Sequence, residues 1–333
     1  MRRLLRWIVR AGLVVVALVV AYVVGSLAWV RTLEKSAAIS AAPGNGEFVD
    51  AGGTPVHWQA FGAYGRPVVL LVHGTAAWSG TWFSLVPALE NAGYQVVALD
   101  LPPFGFSGKS IDADFSREAQ AERIRAVLDD AGIDRVTVVG HSFGGGPALE
   151  FALRHPDRVQ RLVLVDAALG LQAAPPDPAS LACRVLATPM LRDPLIASTA
   201  AQPLFSRALL RSFVARKEAV TDTRLLAYRR PAHVQGASAA MGAWAHHFAC
   251  VAETGSSTDP AAIGRLQPAL DILWGADDTV TPLAQGKHLQ SLVPHSRLQV
   301  IQGVGHIPHI EDPLRFEQVL LATLARAPGD AAP

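Results

Sequence analysis

Arg135-Val136-Thr137-Val138-Val139-Gly140-His141-Ser142-Phe143-Gly144-Gly145-Gly146 is the stretch on which the reading of this chain turns. Its β-branched apolar run predicts a buried strand. The run ends in Gly140-x-Ser142-x-Gly144, and Pro147 to Arg154 reads as a helix. A serine on a sharp strand-to-helix turn stands above a sheet, at the positive end of a helix. That position suits a nucleophile. A buried hydroxyl in an ordinary βα turn would fit the same letters, so the reading depends on its partners.

A serine hydroxyl is a weak nucleophile and needs a base, which in turn needs an orienting carboxylate. Downstream, Ala269-Leu270-Asp271-Ile272-Leu273-Trp274 predicts a strand running into Gly275-Ala276-Asp277-Asp278-Thr279-Val280-Thr281-Pro282. Leu298-Gln299-Val300-Ile301 predicts another, followed by Gly303-Val304-Gly305-His306-Ile307-Pro308-His309. Ser, Asp and His therefore arrive in order, each just past a strand.

That order resembles the α/β-hydrolase triad. Further motifs carry the resemblance. His73-Gly74 follows Val68-Val69-Leu70-Leu71-Val72, and Asp100-Leu101-Pro102-Pro103-Phe104-Gly105-Phe106-Ser107 follows Val97-Ala98-Leu99. Gly275-x-x-Asp278-x-x-x-Pro282 and Gly305-His306-x-Pro308 complete the set. Over about residues 47–327, the middle segment excepted, the chain resembles the lidded serine esterases and lipases, which are related to epoxide hydrolases and C–C bond hydrolases.

The resemblance implies Ser142 as nucleophile, His306 as base and Asp278 as acid. Asp166, ending the strand at Leu162–Val165, is the rival acid, and Asp277 is a neighbour of Asp278. The oxyanion hole needs two backbone N–H groups, expected from Phe143 and from Thr75 or Ala76. Trp78, Phe104 and His309 are expected at the substrate pocket, with Trp82 and Phe106 on loops at the same end. His141 is expected to pack inside the turn and His73 to fix its loop. The His306/His309 and His246/His247 pairs lack a carboxylate or cysteine complement for a metal site, and no cofactor is implied.

The expected fold is α/β: a mostly parallel, doubly wound sheet with a helical cap insertion and one N-terminal transmembrane helix. Strands are expected near 47–51, 55–60, 67–72, 95–99, 135–140, 161–166, 269–274 and 297–301. Helices are expected at 79–92, 115–132, 145–155, 283–293 and 311–326. The boundaries read as an anchor over 1–35, a linker over 36–46, hydrolase core over 47–167, cap over 168–260 and core again over 261–333. The cap opens with Pro-rich Ala173-Ala174-Pro175-Pro176-Asp177-Pro178. It shows helix-like pieces around 191–198, 203–217, 221–229 and 235–252.

Residues 11–30 carry no charge, enough at a rise of ~1.5 Å per residue to span a ~30 Å hydrocarbon core. Arg2, Arg3, Arg6 and Arg10 precede them, which predicts a cytoplasmic N-terminus and a catalytic domain on the far side. Cleavage as a signal peptide near Ser36-Ala37-Ala38-Ile39-Ser40-Ala41-Ala42 is the competing reading. Cys183 and Cys250, the only cysteines, fit a disulfide in an oxidising compartment or two buried thiols. Formal net charge is +1 with no basic block beyond the N-terminus, so nothing points to nucleic acid.

The function expected is hydrolysis of a small apolar carboxylic ester. Ser142 stands where epoxide hydrolases and dehalogenases of this fold need a carboxylate. C–C bond hydrolases keep the serine, but their loop after His-Gly is richer in glycine than Thr75-Ala76-Ala77. They and acyltransferases are the alternatives of the same fold. A non-catalytic, membrane-tethered binding protein is the alternative of another class.

Overall fold

The computed structural model describes residues 2–327 except 172, 173 and 175. Residues 173 and 175 of the proline-rich stretch and residues 328–333 of the expected second core segment lie outside the described residues.

Eight strands form one sheet: β1 (Gly46–Asp50), β2 (Pro55–Phe61), β3 (Val68–Val72), β4 (Gln95–Leu99), β5 (Val136–His141), β6 (Val159–Val165), β7 (Ala269–Gly275) and β8 (Arg297–Ile301). Their order is β1-β2-β4-β3-β5-β6-β7-β8. The β1–β2 and β2–β4 pairs are antiparallel and the remaining pairs are parallel. Residues of one strand alternate between the two faces. Thus Leu70, Val72, Val97, Val138, Leu162 and Ile272 pack on one side, under the helices Arg117–Asp130 and Gly145–Arg154. Val69, Leu71, Val96, Val139, Val163 and Leu273 pack on the other with Phe316 and Leu320. Burial on both faces explains why these strands read as unbroken apolar runs.

Register matters more here than strand length. Val72 pairs with Gly140, Gly140 with Leu164 and Val165 with Leu273. The carboxyl ends of β3, β5, β6 and β7 are thereby level, and the turns that follow them meet above one edge of the sheet.

Two expected helices differ. Residues 79–92 form a 3-10 turn, Ser79–Trp82, and a short helix, Val86–Asn91. A Cβ on Gly80 would lie 2.3 Å from the Trp78 ring, and Pro87 lacks the N–H a through-going helix needs. Helix 311–326 begins instead at Pro313, because the residue before a proline is pushed out of helical geometry; Asp312 sits at φ −140°, ψ 75°.

Between β6 and β7 the described chain is helical: Leu181–Ala187, Pro189–Ser198, Ser206–Phe213, Asp222–Arg229 and Ala237–Cys250. The first of these is absent from the sequence reading, and the third ends earlier than expected. Cys183 and Cys250 are joined as a disulfide, which resolves the two alternatives and ties the first of these helices to the last.

The N-terminal helix runs from Arg2 to Leu33 and is long and apolar enough to cross a membrane. Among the described residues, its hydrogen bonds to the rest of the protein begin at Tyr22 and lie in its carboxyl-terminal half. Tyr22 donates from its hydroxyl to the Ser198 carbonyl (2.8 Å), and Gln202 Nε2 donates to Ser26 Oγ (3.1 Å). Residues 36–46, expected as a linker, are also held: the Ser36 amide donates to the His233 carbonyl (3.0 Å) and the Gln235 amide to the Ser36 carbonyl (2.9 Å).

The disulfide closes a span of 67 residues in sequence. Cys250→Ser should lower stability by ~2–5 kcal/mol, read as a drop in the urea midpoint. Wild-type protein unfolded without reductant should show no free thiol; two reactive thiols would contradict the bond.

Candidate active site

β5 ends at His141, and Ser142 follows with φ +50°. Left-handed backbone is costly for a side-chain-bearing residue and persists only where its surroundings enforce it. Among the described residues just three non-glycines adopt it: Ser142, Ala76 (φ +54°) and Asp166 (φ +44°). Each lies shortly past the carboxyl end of a central strand. The enforcement is close packing. A Cβ on Gly144 would lie 2.4 Å from the His73 carbonyl oxygen, and one on Gly74 would lie 2.9 Å from Ser142 Cβ. Both positions therefore need glycine, which lets the loop after β3 press against the serine.

Ser142 Oγ lies 2.8 Å from His306 Nε2, and His306 Nδ1 lies 2.9 Å from Asp278 Oδ2. All three side chains are buried. Asp278 is itself oriented. Its Oδ1 accepts the amides of Val280 (2.7 Å) and Thr281 (3.0 Å), and Thr281 Oγ1 donates to Oδ2 (2.6 Å). Burial would raise the pKa of Asp278, but His306 and the Thr281 donors outweigh it and hold the carboxyl below its ordinary value.

Asp166 lies beside this group, and its Oδ1 accepts the Gly275 amide (2.8 Å). No hydrogen bond joins it to His306 among the described residues. Complete burial, with the Asp278 carboxylate adjacent, raises its pKa well above the ordinary carboxylate value. The two acids weighed from the sequence are thus neighbours whose pKa values are pushed in opposite directions. Asp277 uses its amide to bond the Val304 carbonyl (3.0 Å).

The amides of Thr75 and Phe143 have no protein acceptor among the described residues. Thr75, Ala76, Ser142 and His306 line one cavity of about 1080 Å³, walled mainly by apolar side chains. Trp78, Phe104 and His309 are not among its lining residues. Trp78 Nε1 donates to the Ala227 carbonyl (2.8 Å), and Phe104 packs edge-on to Trp244 and Phe143. His309 stacks on Trp82 at 4.1 Å and its Nε2 meets Thr81 Oγ1 at 2.9 Å. The walls come from the helical insertion instead, through Phe213, Met241, Trp244 and Phe248. Sequence periodicity placed these on helices without showing which face they turned to the serine.

The other histidines hold loops. His73 Nδ1 meets the Gly74 carbonyl (2.8 Å), and its Nε2 accepts the Leu101 amide (3.0 Å). His141 Nε2 donates to the His306 carbonyl (2.7 Å). Glu311 was missed entirely. Its buried carboxylate accepts amides from Ala215 (2.8 Å), Arg216 (2.9 Å), Gly305 (3.0 Å) and Ile307 (3.2 Å), so the insertion and the His306 loop share one acceptor. No local sequence signal marks it, because its partners are backbone groups.

A sequence profile described as the alpha/beta hydrolase fold matches residues 67–313. The chain belongs to that family. This α/β hydrolase is similar to 2-hydroxy-6-oxo-2,4-heptadienoate hydrolase of Pseudomonas putida, 32% identical, with 84% of this chain and 96% of the relative covered. It is 30% identical to 2-hydroxymuconate semialdehyde hydrolase of a Pseudomonas species, over 87% of this chain and 97% of that one. Among solved structures, a meta-cleavage product hydrolase from Pseudomonas fluorescens superposes with a TM-score of 0.65 at 25% identity, covering 84% of this chain and 97% of its own. The crystal structure of a membrane phospholipase A superposes with a TM-score of 0.63 at 24% identity, covering 97% of this chain and 98% of its own. That coverage is too wide to leave out the N-terminal helix, and it shows likeness of fold. Hydrolase chemistry is common to these relatives. The names of the two curated relatives and of the meta-cleavage product hydrolase favour C–C bond cleavage over the expected ester cleavage.

Asp278→Asn should lower kcat by several orders of magnitude, as removal of the orienting carboxylate does in serine proteases, ~10⁴-fold. Asp166 makes no hydrogen bond to His306 among the described residues, so its near-isosteric replacement Asp166→Asn should cost less than about tenfold. The reverse ranking would make Asp166 the working acid.

Burial holds His141 near pKa 3 and His309 well below its ordinary 6.5. The folded protein then binds fewer protons than the unfolded chain below pH 6.5. Each such histidine adds stability that is complete above that pH and is lost as pH falls. Asp166 has the opposite sign, gaining as pH falls toward its unfolded value, and cancels between variants. Urea melts at pH 7.5 and pH 5 should therefore show a smaller acid loss in His309→Asn than in wild type, by up to ~2 kcal/mol. Equal losses would show that His309 takes up its proton in the folded state.

Proposed function

We propose that this chain is a membrane-tethered serine hydrolase that cleaves carboxylic esters of apolar acids. The observation that carries the reading is the continuous Ser142–His306–Asp278 chain opening into an apolar cavity. In this reading Ser142 Oγ attacks the ester carbonyl and passes its proton to His306 Nε2. Asp278 fixes the imidazole and offsets its positive charge. The Phe143 and Thr75 amides receive the oxyanion. Collapse of the tetrahedral intermediate returns the proton to the leaving alcohol. Water, activated by the same histidine, then releases the acid and restores Ser142.

The relatives' names support a second reading, hydrolysis of a C–C bond beside a carbonyl, and support it better than ester cleavage. The apolar lining of the cavity supports the ester reading. The relatives' named substrates are carboxylates, which call for a cation near the serine. Of the two arginines that line the cavity, Arg229 bonds Ser206 Oγ and the Pro203 carbonyl, whereas Arg230 lies over the Trp78 and Phe106 rings with its N–H donors available for such a carboxylate.

The tether reading rests on the packing of the N-terminal helix. Cleavage near Ala41 would strip away a helix hydrogen-bonded to the insertion and a wall of the cavity. The arginines ahead of the apolar run support a cytoplasmic N-terminus, and the disulfide accords with a catalytic domain on the oxidising side.

Purified full-length protein should react with a fluorophosphonate at Ser142 and hydrolyse p-nitrophenyl esters; Ser142→Ala should do neither while keeping its fold. Turnover of a 2-hydroxy-6-oxodienoate in preference to every ester would establish the C–C reading. Folded wild-type protein that neither labels nor turns over either substrate would establish a binding role.

A further inference from the structure

The N-terminal helix does more than tether. Of its residues, Ser26 and Val30 are buried and Val23, Leu27 and Leu33 half-buried, a stripe at three- and four-residue spacing along one face. That stripe meets the helix Pro189–Ser198, and Glu34 continues it by accepting the Ser238 amide (2.8 Å). The last turns reach the catalytic cavity itself. Trp29, Val30, Leu33 and Glu34 line the same space as Ser142 and His306. This wall comes from outside the family-matched region, which covers residues 67–313.

The rim of the cavity is apolar and open. Trp29, Leu209, Leu226 and Phe248 both line the cavity and remain exposed, Leu226 by 67%. The helix Pro189–Ser198, which packs on both the tether and the helix that carries Phe248, also leaves Met190 and Leu191 exposed, Met190 by 86%. Exposed apolar side chains around a cavity mouth mark a binding surface. Its occupant is given by geometry: the uncharged run 11–30 includes the residues that touch this face, so the membrane that holds the helix also reaches the face. The volume, about 1080 Å³, is just above the ~300–1,000 Å³ usual for ligand pockets.

We infer that the substrate is an acyl ester carried in the bilayer, that it enters from the membrane side, and that Trp29, Val30 and Leu33 form the wall along which its acyl chain lies. The inference deepens the serine hydrolase reading and rests on it. The tether is then part of the specificity site, and a chain lacking it loses selectivity as well as location.

The test uses full-length protein in phosphatidylcholine vesicles, with fluorogenic hexadecanoate and butanoate esters. A short-chain fluorophosphonate reports separately whether the site is folded and reactive. Leu33→Trp narrows the wall and Trp29→Ala removes part of it. In whichever of these variants still labels, the hexadecanoate-to-butanoate ratio of kcat/KM should fall about tenfold. A ratio unmoved in a labelling variant overturns the wall. Met190→Lys with Leu191→Lys should lower the rate on vesicle-borne hexadecanoate about tenfold more than the rate on dissolved butanoate. Equal effects overturn entry from the membrane side. If wild-type protein never labels, the serine hydrolase reading fails instead.

Discussion

The level carboxyl ends of β3, β5, β6 and β7 are the constraint on which everything else depends. Parallel pairing fixes where each strand stops relative to its neighbour. Because side chains alternate, a one-residue slip in any strand would turn its apolar set to the wrong face, so the core enforces the register. The turns after these strands then crowd together. Left-handed backbone at Ala76, Ser142 and Asp166 is the local cost of that crowding, and the large core beneath absorbs it.

Two carboxyl groups in one buried site cannot both be ionised without strong repulsion. Here the choice between them follows from their donors. Asp278 has His306, the Thr281 hydroxyl and two amides, whereas Asp166 has one amide. Ionisation is therefore favoured on the carboxylate that faces the histidine and disfavoured on its neighbour, which makes no hydrogen bond to His306 among the described residues.

The sheet was legible because buried parallel strands advertise themselves as apolar runs, and the residues of the chemical centre were legible because each follows such a run. Ser142, His306 and Asp278 come together as their spacing implied. The pocket was not legible. Trp78, Phe104 and His309 lie on the expected loops, but indole, phenyl and imidazole rings satisfy core packing as readily as they line a cavity, and neighbours in space decide which. Glu311 left no trace in the sequence for a related reason: a side chain that serves backbone amides has no partner residue type to look for. The helix over 79–92 failed where Gly80 and Pro87 broke a periodicity that otherwise looked sound.

Glu311 also joins parts of the molecule that differ in kind. It binds amides of Ala215 and Arg216 in the insertion and of Gly305 and Ile307 on either side of the reacting histidine. At its opposite side the insertion is bonded to the N-terminal helix through Ser198 and Gln202. The His306 loop, the insertion and the N-terminal helix are therefore joined in series by hydrogen bonds, so a displacement of that helix is passed by the insertion toward the imidazole.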